Sequence, residues 1–470
     1  MLAAASFIPY PHWLNSGDNT WQLVSATLVG LMSLPGIAVL YGGLVQRKWV
    51  VNTMLMAFAG FSLVLLVWVL WAYNMGFSSE TFSVFGAKGT GFFNNFIGRP
   101  WPILSHFGEQ NQATSLAQTA IPFHFPNATF AYFQVVFAAI TPLLFLGSIL
   151  GRMKFRAWLV FVPLWITFVY AVNAKLLWGG GFFAMKGAVD YSGGYVIHLA
   201  AGVTGFTLAA IVGKRLTRDR LHAVPNNLML VAVGAGILWL GWNGFNGGDP
   251  FYAGVDAASA VLNTNIATAA GLITWMLMDM FFTKERKPTF LGAINGMICG
   301  LVGITPSAGW VDGYGAILVG LICSTIVWIA WNYLSKVKPF SQVDDALGVI
   351  YTHGIAGLTG GLLVGFLADP GMVEYIGVGK TPSVVVDGLF YGGGWHQLWE
   401  QFLAAVWIIV FTAIATTILA YITKWICRGL REKDDVLEIG DVAIHDEEVY
   451  PQETFAERVS AMSAADRGME

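Results

Sequence analysis

Two histidines, His198 and His353, head near-copies of one octapeptide, HLAAGVTG at 198–205 and HGIAGLTG at 353–360. Imidazole changes charge near neutral pH, and either ring nitrogen can donate or accept a proton. A pair in apolar surroundings can therefore hold protons or a small polar molecule. The other six histidines, His12, His106, His124, His222, His396 and His445, fall in connections, tails or segment ends. An acidic residue stands eight positions before each histidine of the pair, Asp190 and Asp345. One reading is a buried histidine bonded to a neighbouring helix; the other is a functional site, and the symmetrical placement favours it. Two histidines with no third ligand nearby make a poor zinc or copper site, so no metal is expected.

A second group is aromatic. FQVVF sets Phe133 and Phe137 four apart on one helix face beside Gln134, LLWGGG ends an apolar run at Trp178, and GWNGFNGGDP carries Phe245 and Asp249. Aromatic faces can hold a cation through their quadrupoles, worth about 0.5–2 kcal/mol according to how dry the site is. Asp249 and Asp190 could add negative charge where a cation arrives. Packing is the alternative for each Phe, and for Asp190, in DYSGG, capping a helix is the stronger reading. Asp344 and Asp345 are expected to cap or orient the segment that carries His353, as a solvated boundary pair.

The elements that must position these residues follow from the composition. Of 470 residues, 56% are hydrophobic and 11% charged, and repeated apolar runs of about 20 residues suit helices crossing a ~30 Å hydrocarbon core. The expected architecture is an all-α polytopic membrane protein with eleven spans, at 21–45, 50–74, 128–150, 157–177, 191–213, 228–248, 257–282, 289–308, 313–335, 347–367 and 399–425. Of 25 basic residues, 20 fall on the side of QRKW (46–49), which places the N-terminus outside and the C-terminus in the cytoplasm of a plasma or inner membrane. AITP (139–142) is echoed by GITP (303–306), so spans three and five pair with eight and ten. Five spans per half make the halves inverted. The domains are a 1–20 outer segment, a 21–425 transport domain with repeats about 21–213 and 228–367 plus the eleventh helix, and a 426–470 cytoplasmic tail. Histidines eight residues past borders on opposite faces lie about 12 Å deep from each side, where they could meet. Gly357, Gly361 and Gly365, with Ala201 and Gly205, would let the helices close around them.

Other classes find little support. No phosphate-binding loop, dinucleotide fingerprint, zinc signature or catalytic triad order is present, so neither an enzyme nor a cofactor is expected. Nothing suggests a nucleic-acid surface. Cys299, Cys323 and Cys427 read as packing residues, and the N-terminus lacks the basic region of a cleaved signal. NAT at 127–129 is a glycosylation sequon only in a eukaryotic host.

FQVVFAAITP, WGGG followed by DYSGGYVIHLAAG, GWNGFNGG and DDALGVIYTHGIAG, in this order over roughly 20–450, resemble the ammonium transporters of the Amt/Mep/Rh superfamily. GSILGRM and the long second outer loop are similar to the branch of plant type-2 transporters and their bacterial relatives. The resemblance implies a homotrimer of eleven-helix protomers, each with a pore lined by His198 and His353. It assigns Phe137 and Phe245 to a stacked gate and Trp178, with Phe133 and Gln134, to ammonium recruitment, supported from below by Asp190. Asp249 stands where many members have serine, and an ionised carboxylate there would draw a cation more strongly or pair with a loop lysine. In the tail, EIGDVAIHDEEVY resembles the family motif with Asp446 in place of glycine. That tail either docks a PII-type signalling protein or is merely solvated.

The expected function is ammonium transport. The cation is recruited at the outer aromatic site and deprotonated, and ammonia passes a dry pore along the twin histidines; methylammonium is the natural analogue. An intact cation faces a large desolvation cost in such a pore, which is how potassium would be refused. The alternatives are a passive ammonia or carbon dioxide channel and an ammonium sensor.

Overall fold

The computed structural model describes residues 11–78, 92–115, 121–372 and 386–451. The outer segment and the tail are thus described only from residue 11 and to residue 451, and Lys88 and Lys380 of the outer loops lie outside the described residues. Among the described residues, ten helices are long and apolar enough to cross a membrane: α1 (Ser16–Leu44), α2 (Arg47–Phe77), α3 (Asn127–Ile149), α4 (Phe155–Lys186), α5 (Gly194–Val212), α6 (Leu228–Gly247), α7 (Val255–Phe282), α9 (Gly313–Lys336), α10 (Ile350–Leu367) and α11 (His396–Ile426). Between α7 and α9 lies a shorter apolar helix, α8 (Phe290–Ile304). The chain is a multi-pass integral membrane protein.

Polar side chains start several of these helices. Asn15 accepts from the amides of Gly17 and Asp18 before α1, Asn227 from Met229 and Leu230 before α6, and Asp312 from Gly315 before α9. The distribution of side chains is inverted relative to a water-soluble bundle. Along α11, Phe402, Val406, Val410, Ile414 and Ile418 face outward at four-residue spacing, while Gln401, Thr412, Thr416 and Thr423 are buried. That arrangement suits a lipid solvent, in which polar groups need partners inside the protein. Helix α3 runs through the middle, buried at nearly every residue from Thr129 to Ile149.

Two expectations are corrected. The eighth span, expected over 289–308, ends as a helix at Ile304, because Pro306 has no N–H to return to the preceding turn and the chain goes on in turns. The AITP and GITP echoes also take different places. Thr141 and Pro142 lie inside α3, which continues to Ile149, whereas Thr305 is the C-cap of α8. The segment before α10 bonds to the carbonyls of Gly147 and Ser148, and the segment before α5 bonds to those of Thr305 and Pro306. By these bonds Gly147 and Ser148, not Thr141 and Pro142, match Thr305 and Pro306.

Outside the helices, a two-stranded antiparallel hairpin, β1 (Gln112–Ser115) and β2 (Ile121–Pro126), leads directly into α3. The sequon is folded into that junction. Thr129 is buried with its hydroxyl on Asn19 Oδ1 at 2.7 Å, and Asn127 Oδ1 accepts from the Tyr73 hydroxyl at 2.6 Å.

Candidate functional site

The two histidine segments begin in the same way. The Asp190 carboxylate accepts from the amides of Gly193 at 3.2 Å and of Tyr195 and Val196 at 2.9 Å. The Asp345 carboxylate accepts from Gly348 at 3.1 Å and Ile350 at 2.8 Å. Both chains turn through a left-handed glycine, Gly193 at φ 111° and Gly348 at φ 77°, a conformation that costs a residue with a Cβ. Both then open with a wide helical turn, Gly194–Leu199 in α5 and Ile350–Ile355 in α10.

Those turns bring the histidines together. His353 Nδ1 lies 3.2 Å from His198 Nδ1. Only one proton fits between two facing nitrogens, so one Nδ1 donates and the other accepts. With both rings neutral, the Nε2 atoms must then be one acceptor and one donor. His198 Nε2 is buried with no hydrogen-bond partner among the described residues, and its ring stacks on Trp242 at 5.4 Å and faces Phe245 at 5.9 Å. The helices cross where a Cβ on Gly202 would lie 2.2 Å from the Gly354 Cα. The sequence pattern passed over this pair of glycines. Gly357 and Gly361 do act as expected, lying against His198 Cβ and the Tyr195 ring, but Gly365 packs on Leu398 of α11.

Beside the histidines the Phe137 and Phe245 rings lie 4.3 Å apart, tilted by 32° rather than stacked, both buried, and Phe133 adjoins Phe137 at 4.7 Å. Trp178 meets Phe137 edge-on at 6.4 Å, is partly exposed, and its indole N–H donates to the Asp190 carbonyl at 2.6 Å. Asp190 therefore joins the outer aromatic group to the start of α5. Gln134 is buried beside Phe133 in the chain, with no partner for Oε1 among the described residues.

Asp249 has no lysine partner among the described residues. It is 6% exposed and accepts a short hydrogen bond from the Ser192 hydroxyl, which also reaches the Phe245 carbonyl at 3.3 Å. Burial lifts its carboxyl well above the ordinary range; Ser192 opposes that and the Asp190 charge adds to it. Burial also raises Asp190, but four backbone N–H groups hold it at about 6. Ser192 and Trp242 escaped the sequence reading, although both lie inside quoted motifs. Only the fold shows that Ser192 reaches Asp249 and that Trp242, anchored by its N–H on Thr305 Oγ1 at 3.0 Å, backs His198.

On the opposite face, Asp344 and Asp345 are not a solvated pair. Arg215 grips the Asp344 carboxylate with its side chain at 2.7 and 3.0 Å and its amide at 2.8 Å. Burial pushes Asp344 up, yet Arg215 and Arg152 outweigh it and hold the group below its ordinary value. Arg152 is fully buried among the carbonyls of Gly213, Leu150 and Asp344. Asp345 is raised by burial, against the pull of its backbone donors and Ser148.

The tail is docked as far as it is described. Asp441 caps the start of α2 by accepting from Val51 at 2.8 Å and Asn52 at 3.0 Å. His445 Nε2 meets Asn52 Oδ1 at 2.9 Å, and Lys48 donates to the Leu437 carbonyl at 2.8 Å. Asp446 has φ 56°, so the residue standing in the expected glycine position also adopts a glycine-like backbone.

This bundle, with a buried imidazole pair under an aromatic cover, belongs to the class of polytopic membrane transporters. The sequence profile of the Ammonium Transporter Family matches residues 20–450. Ammonium transporter 3 member 2 of Oryza sativa subsp. japonica is 46% identical over 442 residues, 93% of this chain and 90% of the relative. Ammonium transporter 2 of Arabidopsis thaliana is 44% identical, covering 94% and 89%. The crystal structure of Saccharomyces cerevisiae Mep2 superposes with a TM-score of 0.75 at 28% identity, over 90% of this chain and 89% of that one. The chain is a member of the ammonium transporter family, and its similar relatives bear the names of transporters, not of enzymes.

Proposed function

We propose that the protein moves ammonium across a plasma or inner membrane by taking the cation at Trp178 and Phe137, removing a proton, and passing ammonia beneath Phe245 along His198 and His353. The single observation that carries this reading is the imidazole pair, with a buried His198 Nε2 that has no partner among the described residues and lies next to the close Phe137 and Phe245 rings. Phe133 and Gln134 line the recruitment site, Asp190 braces it through its carbonyl, and Asp249 adds charge at its edge. Ammonium and potassium are similar in size and charge. An apolar passage refuses both as ions because desolvating a cation is costly, but only ammonium can shed a proton and continue as a neutral molecule.

In this reading α1 to α11 cross the membrane eleven times, with α8 completed by the turns after Ile304, the N-terminus outside and the C-terminus in the cytoplasm. Spans one to five, about 21–213, and six to ten, about 228–367, are inverted copies, 399–425 is the added helix, 1–20 lies outside and 426–470 inside. The matching caps at Asp190 and Asp345 support that duplication. Three copies, each with its own passage, would form the assembly, with the docked tail offering a cytoplasmic face to a PII-type partner.

The test is current on solid-supported membranes from purified protein in liposomes, comparing ammonium, methylammonium and potassium. Ammonium and methylammonium should give current and potassium none, and His198→Ala or His353→Ala should abolish or reshape it. Equal potassium current, or unaltered current and selectivity in both variants, would sink the proposal. An ammonia flux without ammonium-dependent current would favour the passive channel.

A further inference from the structure

Two buried carboxyl groups stand at the outer aromatic site, and they differ in how their oxygens are used. Those of Asp190 are committed to the backbone amides that open α5, so a proton there would compete with the helix start itself. Asp249 is almost as buried, yet only one of its oxygens is engaged, by Ser192, and the other accepts no hydrogen bond from any described residue. Among the described residues no lysine, arginine or histidine pairs with it. The titratable groups that face it are Asp190, ahead of α5, and the Tyr170 phenol of α4, which interacts with both carboxyls. Ser192 ties Asp249 to the carbonyl of Phe245 one helical turn back, so the spare oxygen belongs to the edge of the aromatic cover.

With no cationic partner among the described residues and one oxygen short of its acceptor capacity, the ionised form of Asp249 is a base for a cation that carries a proton. We propose that Asp249 is the residue that removes the proton from ammonium at the outer mouth, an inference that rests on the transport function argued above. The N–H bond of ammonium breaks, its electron pair stays on nitrogen, and the proton forms an O–H bond on the free Asp249 oxygen. The products are ammonia and a neutral carboxylic acid. A proton that accompanies its ammonia then leaves Asp249 toward His198, whose ring faces that of Phe245 at 5.9 Å, and the carboxylate is restored. An ordinary carboxylate is far too weak a base for ammonium, and proton transfer improves as the two pKa values approach. The burial that raises Asp249 moves it in the required direction. A serine in this place could bind the cation but could not take its proton.

Full-length protein in liposomes supplies the test. Asp249→Asn, which keeps the shape and a partner for Ser192 but accepts no proton, should cut the ammonium current about a hundredfold, the lower range of a general base's contribution. Asp249→Glu should restore most of it. In infrared difference spectra, adding ammonium to wild-type protein should raise the C=O band of a protonated carboxyl group, and this rise should be missing from Asp249→Asn. Wild-type current in Asp249→Asn, or the same infrared rise in that variant, would overturn the assignment. Should Asp249→Asn not fold, as judged by gel filtration, the wild-type spectrum decides alone, and absence of the band refutes the proposal. A wild-type protein without ammonium current would refute the transport reading itself, whereas current that Asp249→Asn fully retains would refute only the base.

Discussion

The start of α5, beside the aromatic group, and the start of α10, on the opposite face, use the same device and surround it differently. Each has an aspartate gripping the first amides, a left-handed glycine, a wide helical turn and a histidine eight residues on. At the α10 end the neighbouring acid, Asp344, is clamped by Arg215 and bordered by the buried Arg152, so charge is compensated on the spot. At the aromatic end the neighbouring acid, Asp249, has only a serine hydroxyl among the described residues. The scaffold is repeated and the chemistry is not. A shared frame fixes where the histidines meet, and in the function proposed above the residues hung on each end decide which end receives a cation.

The sharpest way to break the comparison is to remove what both ends share. Gly202→Val would drive a side chain into the Gly354 backbone, where even a Cβ has only 2.2 Å. Overpacking ordinarily costs about 1–3 kcal/mol, and here no flexible side chain can yield, so loss of folded protein on gel filtration is expected. A folded variant with normal current would mean that the helices need not touch. Next is the inner clamp: Arg215→Ala should strand the buried Asp344 and lower stability by about 3–5 kcal/mol, read as a fall in melting temperature in detergent. Asp344→Asn in that background should recover much of the loss. An unchanged melting temperature in Arg215→Ala would show the ion pair to be replaceable by water.

A gentler contrast separates the two caps. Asp190→Asn and Asp345→Asn each keep one carbonyl acceptor and should cost about 1–2 kcal/mol of stability, the scale of a lost cap. Their transport should differ, because only Asp190 also carries the Trp178 indole on its carbonyl and borders Asp249. A larger fall in apparent ammonium affinity is therefore expected for Asp190→Asn. Equal affinities in the two variants would leave Asp190 a cap and nothing more.

Much of this was legible in the residues, for definable reasons. Apolar runs of membrane length give helices whatever their order, and the acid-to-histidine spacing survives because it is set within a single chain segment. The meeting of His198 with His353 followed from that spacing and from loop charge. The register of AITP against GITP did not follow, since four shared residues cannot tell a proline inside a continuing helix from one just past a helix end. The partners of Asp249 and Asp344 were hidden too, because Ser192 and Arg215 lie 57 and 129 positions away in the chain. Local pattern predicts caps and faces; whether a boundary acid is wet, paired or enclosed depends on contacts that only the packed bundle creates.

The smallest expected effect concerns a third aspartate at a helix start, Asp441, where the tail meets α2. Burial raises its carboxyl to about 6 against the pull of the α2 amides, so the docked tail holds a proton over a range in which a freed tail has released it. Docking is then favoured at low pH and weakens as pH rises from about 4 to about 6. His445, bonded to Asn52 in the same contact, is lowered by burial and works in the opposite sense, since its protonation below about pH 6.5 favours release. The two slopes oppose each other, and removing one should expose the other. His445→Gln can still meet Asn52 and has no proton to gain, so hydrogen exchange at residues 434–445 should quicken from pH 4 to 6 after correction for the intrinsic rate. Asp441→Asn should reverse the trend, with exchange quickening as pH falls through 6. Identical corrected profiles in the two variants would mean that neither group governs docking, and the face where the tail docks would then have one titratable cap fewer than its geometry suggests.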